Sequence, residues 1–136
     1  MGKWKVILEA ALLISLRLGA RAAGEKSSSP ASSYPYDIST ELTVSGTVQE
    51  ITDYQCPVTG TVGSHITLIT ESGTIEVHLA PAKFLKEYEI VIRKGDVVKL
   101  VAAKIVYQGK PALLAKTITI DRQKYAFRGD NGSPLW

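Results

Sequence analysis

The chain has 136 residues, which leaves room for one domain of about 100 residues once a targeting segment is set aside, enough to bury a workable core. With 45% hydrophobic and 21% charged residues it has the balance of a globular chain, and its single cysteine, Cys56, excludes an intrachain disulfide. The net charge of +3 invites a nucleic-acid reading, but Lys3, Lys5, Arg17 and Arg21 against Glu9 in the first 23 residues account for all of it, so the remainder is formally neutral.

Residues 1–23 have the three parts of a secretory signal peptide: the basic start at Lys3 and Lys5, an apolar run from Val6 to Leu18, and small residues at Ala20 and Ala22 before a cleavage point. The run is short for a membrane span of about 20 apolar residues. The expectation is an exported protein, periplasmic or extracellular, that meets a membrane only through its leader before cleavage. Residues 24–40 are Ser- and Pro-rich without either structural period, and read as a linker in which Tyr34 and Tyr36 either pin its end to the domain or are solvated aromatics.

A barrel domain is expected over residues 41–128, with residues 129–136 as a C-terminal tail. Residues 41–52 alternate through Leu42, Val44 and Val48 as a first strand, and Gly46 inside it marks a bulge or sharp bend. Residues 53–64, with Pro57, Gly60 and Gly63, read as a loop of about a dozen residues, a length that belongs more often to function than to connection. Residues 65–80 form a hairpin. A two-residue turn at Ser72 and Gly73 would pair Ile69 with Glu76, Thr67 with His78 and His65 with Ala80. One face then carries Ile66, Leu68, Ile75, Val77 and Leu79 as core, and the other carries His65, Thr67, Ile69, Glu76 and His78 as a mixed polar surface.

Residues 81–90 predict a short helix with Pro81 in its first turn. Residues 97–107 and 112–120 predict a second hairpin turning at Gln108, Gly109 and Lys110, and residues 124–128 a brief last strand. This order, with a bent first strand and a helix between strands 3 and 4, resembles the OB-fold: an all-β, five-stranded Greek-key barrel with one short helix. The ending from Phe127 to Trp136 further resembles small exported bacterial proteins consisting of one such domain. The OB-fold resemblance implies a ligand face on strands 2 and 3, here His65, Thr67, Ile69, Glu76 and His78, flanked by the loop at residues 53–64 with Tyr54 and by the second hairpin turn with Tyr107.

The expected function is that of a non-catalytic binding or accessory module recognising an envelope protein or a small ligand through that face. No phosphate-cradling glycine loop, nucleophile elbow or carboxylate pair argues for an enzyme. An oligonucleotide-binding domain is the alternative, resting on Tyr54, Tyr107, Lys104, Lys110 and Lys116, and it is disfavoured because the hairpin face itself carries neither stacking aromatics nor cations. The second alternative is a metal-binding or redox-accessory protein. His65 and His78 lie on one face at a diagonal, within reach of a shared ion, with Cys56 or Asp53 as a third ligand from the loop. No other cofactor is expected.

Overall fold

The computed structural model describes residues 34–136. The leader expected at residues 1–23 and most of the linker lie outside the described residues. Six strands and one helix follow in order: β1 (Leu42–Cys56), β2 (Thr61–Thr70), β3 (Gly73–Pro81), α1 (Ala82–Glu87), β4 (Val97–Tyr107), β5 (Lys110–Ile120) and β6 (Gln123–Ala126). They form one sheet of order β3-β2-β1-β4-β5-β6, closed by a parallel pairing of β3 with β5. Five strands thus make the OB-type barrel, with the short helix between β3 and β4, and β6 is an antiparallel addition to β5.

Strand β1 serves both halves of the barrel. Leu42 to Thr47 pair with β4, and Thr47 to Cys56 pair with β2. The bulge that bends it lies between Val48 and Glu50 rather than at Gly46. Gly46 is required for a different reason. A Cβ there would overlap the backbone carbonyl oxygen of Ile69 and press on Leu68, so glycine permits the close crossing of β1 over β2.

Two expectations are corrected. The dozen-residue loop does not exist, because Asp53 pairs with Ser64, Tyr54 with Gly63 and Cys56 with Thr61. The strands run on as a two-stranded ribbon and leave only residues 57–60 as a turn. Most of the ribbon on β1 is exposed, so no apolar alternation marks it. The hairpin turn is also displaced by one residue, to Glu71 and Ser72, with Thr70 paired to Gly73. The Thr70 hydroxyl accepts the Ser72 N–H and Gly73 takes φ 124°, a value open to glycine.

That displacement changes partners by two residues and so preserves the faces. Ile66, Leu68, Val77 and Leu79 lie in the main core with Val48, Leu100, Ile118 and Phe127, and Ile75 is partly buried against it. The same displacement sets His65 opposite His78 instead of Ala80, and a second bulge, between Ser64 and His65, then shifts the far end of the hairpin so that Ser64 pairs with Ala80. Pro81 sits at the helix N-cap, and Phe84 and Leu85 are the helix residues that reach the core.

Candidate metal centre

The polar face of the hairpin is not a solvated surface. His65 is 2% exposed and His78 is 1% exposed, beside a second apolar cluster of Cys56, Val58, Tyr107, Ala112 and Leu114 with Tyr34, Tyr36, Tyr54 and Ile105 packed against it. Cys56 ends β1, and the following turn is tied back to its carbonyl oxygen by the Gly60 N–H, which tucks Val58 inward. The short turn therefore delivers a thiol onto the outer face of the β2-β3 hairpin.

The side chains there are in mutual contact. Cys56 Sγ is 3.6 Å from His78 Nδ1 and 4.0 Å from the Tyr107 hydroxyl. The two imidazoles meet edge to face with centroids 4.6 Å apart, and Tyr107 stands edge-on to His78 at 4.5 Å. Tyr54 stacks flat on His65 at 3.8 Å and donates its hydroxyl proton to Glu76 Oε2 at 2.6 Å. Taking one donor atom from each of Cys56, His65 and His78, all three lie within 4.8 Å of one another.

The protonation pattern follows from the contacts. His65 Nδ1 is 3.2 Å from the Thr52 carbonyl oxygen, which can only accept, so Nδ1 carries the proton and Nε2 presents a lone pair. His65 Nε2 and His78 Nε2 are both buried and without a hydrogen-bond partner. Burial lowers the pKa of His65, opposed by the Thr52 contact, and pushes His78 down to about 4, with neighbouring His65 adding to the burial effect. Both rings are neutral near pH 7. Burial, and then the bond to Glu76, raises Tyr54 and keeps it a phenol.

Of the residues expected on the ligand face, the fold brings together His65, His78, Glu76, Tyr54 and Tyr107. Thr67 and Ile69 are displaced toward the hairpin turn, where Ile69 is 42% exposed. Asp53 is exposed and accepts the Ser64 hydroxyl at 2.7 Å, so of the two candidate third ligands it is Cys56 that joins the histidines. Sequence reasoning missed the Thr52 carbonyl, since a backbone group leaves no mark in the residue pattern. A depression of about 800 Å³ opens elsewhere, between Leu42, Val44, Ile75, Val106 and Leu113, and is lined by none of the three donors.

Fold and site together define a closed OB-type barrel with a buried thiol-imidazole cluster in its wall. The model of the MamS/MamX magnetosome protein family matches residues 40–125, and the chain belongs to that family. Among curated proteins, none matches. Solved structures similar to this chain include the Stn1-Ten1 complex of S. pombe, at 11% identity and TM-score 0.48 over 72% of this chain and 81% of that one. Also similar is the mitochondrial single-stranded DNA binding protein Rim1 of S. cerevisiae, at 13% identity and TM-score 0.45 over 62% of this chain and 93% of that one. TiaS, in a complex with a tRNA and ATP, matches at 20% identity and TM-score 0.42, over 59% of this chain and 18% of that one. No helix among the described residues is long and apolar enough to cross a membrane.

Proposed function

We propose that this chain is a non-catalytic accessory module of the magnetosome, exported by its leader, and that its binding capacity lies in a metal centre formed by Cys56, His65 and His78. Membership of a magnetosome protein family supports the setting. The observation that carries the metal reading is the pair of buried, unpartnered Nε2 atoms in a cluster whose three donors lie within 4.8 Å of one another. A buried polar atom left unpaired costs about 1–3 kcal/mol; a metal bond at His65 Nε2 removes that cost there, and His78 can join through Nδ1, which faces Cys56 Sγ at 3.6 Å. The Thr52 carbonyl on the far nitrogen of His65 is the usual support for a ligating imidazole, since it orients the ring and raises its basicity.

Other functions fit this geometry less well. Cys56 and His78 have the spacing of a nucleophile and base, but both are 1% exposed, which leaves a substrate no approach. Oligonucleotide binding needs exposed stacking rings, whereas Tyr107 is buried and Tyr54 is spent on His65, and Lys116 is paired with Glu41 at 3.1 Å. Recognition of an envelope protein by the hairpin face is narrowed by the same burial to Ile69 and its neighbours near the turn. Elemental analysis of the full chain, incubated with thiophilic first-row metals and then desalted, tests the proposal. One equivalent of metal is expected, reduced at least tenfold in Cys56→Ser. Failure to retain any metal in stoichiometric amount, or equal retention by His78→Ala, would overturn it.

A further inference from the structure

Resting on the metal-centre reading, we infer that the site is built for a monovalent thiophilic cation, copper(I), rather than for a divalent ion. Charge is the first argument. Cys56 as thiolate supplies one negative charge and the two neutral imidazoles supply none, so a cuprous ion yields a neutral centre and a divalent ion leaves a net positive charge. The side chains packed directly beside the donors carry no charge to compensate it: Val58, Ala112 and Leu114 are apolar, and Tyr107 is a phenol. The two nearby carboxylates keep their charge but are held off the donor atoms, Glu76 by the Tyr54 hydroxyl at 2.6 Å and Asp53 by the Ser64 hydroxyl at 2.7 Å. Neither belongs to the donor cluster.

The number and spacing of donors agree with this. Structural zinc takes four ligands, whereas the cluster supplies three, and the Tyr107 hydroxyl stands 4.0 Å from Sγ. Metal-sulfur bonds of about 2.3 Å and metal-nitrogen bonds of about 2.0 Å set sulfur and nitrogen about 3.5–3.8 Å apart around one ion. The 3.6 Å from Cys56 Sγ to His78 Nδ1 already meets that requirement. One thiolate with imidazoles is a soft, nitrogen-sulfur donor set of the kind copper takes. The rings of Tyr54 and Tyr107 wall the site against water, and a dry, low-dielectric shell disfavours the extra charge of the oxidised ion. On binding, the copper-sulfur bond forms as the thiol proton leaves to solvent, and no electron is transferred.

The test uses the full chain, reduced and kept anaerobic, titrated with copper(I) against a chromogenic copper(I) chelator and, separately, with zinc(II), cobalt(II) and iron(II). One equivalent of copper(I) should be taken up and should resist displacement by about a tenfold excess of zinc, with uptake from the chelator reduced about a hundredfold or more in Cys56→Ser. X-ray absorption on the wild-type copper form gives a readout that needs no variant to fold, and three-coordinate copper with one sulfur and two nitrogens is expected. Displacement of copper by zinc, or a four-coordinate copper with added oxygen ligands, would overturn the copper(I) inference and leave the metal centre standing. No stoichiometric uptake of any of the four ions would overturn both.

Discussion

A carbonyl oxygen 3.2 Å from His65 Nδ1 decides what that residue can do, because it accepts a hydrogen bond from the ring N–H at Nδ1 and so leaves the lone pair on Nε2 in the buried interior. His78 lacks even that support on Nε2, and its remaining polar neighbour is the Cys56 sulfur. Without a metal, both imidazoles therefore cost stability. Replacing His78 by Leu in the metal-free protein removes an unpaired buried nitrogen worth about 1–3 kcal/mol while keeping apolar contact with Tyr107. The expected result in differential scanning calorimetry is an unfolding midpoint unchanged or raised, with metal uptake lost. A clear drop in the midpoint would instead assign His78 a structural role.

At the scale of elements, the ribbon formed by the end of β1 and the start of β2 holds the site together. It carries Tyr54 across from Gly63 and places the Tyr54 ring flat over His65, latched to Glu76 on β3. Aromatic contact and a charge-assisted hydrogen bond together contribute about 2 kcal/mol, so Tyr54→Ala should speed removal of bound metal by a chelator roughly tenfold or more, read by stopped-flow absorbance. Unchanged release would mean that access runs by another route. The crossing of β1 over β2 is governed by Gly46, and Gly46→Ala must push back the Ile69 carbonyl and Leu68. Overpacking of this kind costs about 1–3 kcal/mol, which urea unfolding would register as a lower midpoint with an unchanged slope.

For the whole described molecule, the two chain ends are laced over the barrel. Tyr36 donates to Glu41, Lys116 pairs with Glu41 and also reaches the Asp130 carbonyl, and the buried Arg128 guanidinium lies between the rings of Tyr36 and Trp136. Hydrogen bonds from Tyr36 first and Lys116 second hold the Glu41 carboxyl below the usual range. A depressed folded pKa means that the unfolded chain takes up this proton first as pH falls. The contribution is complete above about pH 4.5 and is lost as pH drops through the folded value. Glu41→Gln should lower the urea midpoint at neutral pH, by an amount that shrinks as the pH falls below about 4.5. A gap undiminished at low pH would separate Glu41 from this acid sensitivity.

The alternation of residues 65–80 by itself determined which side chains of the hairpin go to the core, because strand faces repeat every two residues and survive a two-residue change of partners. Strand order, the helix between β3 and β4 and the resemblance to an OB barrel were legible for the same reason, in turns and periods that are local in the chain. Sequence also put His65 and His78 on one face and named Cys56 beside them. Only the tertiary structure decided that this face is buried, that a turn at Glu71 and Ser72 sets the two rings opposite each other, and that Cys56 rather than Asp53 completes the cluster. Burial of the polar face depends on Tyr54, Tyr107 and the turn at residues 57–60, brought together by a ribbon whose exposed strand has no periodic pattern and by a barrel closure between strands far apart in sequence.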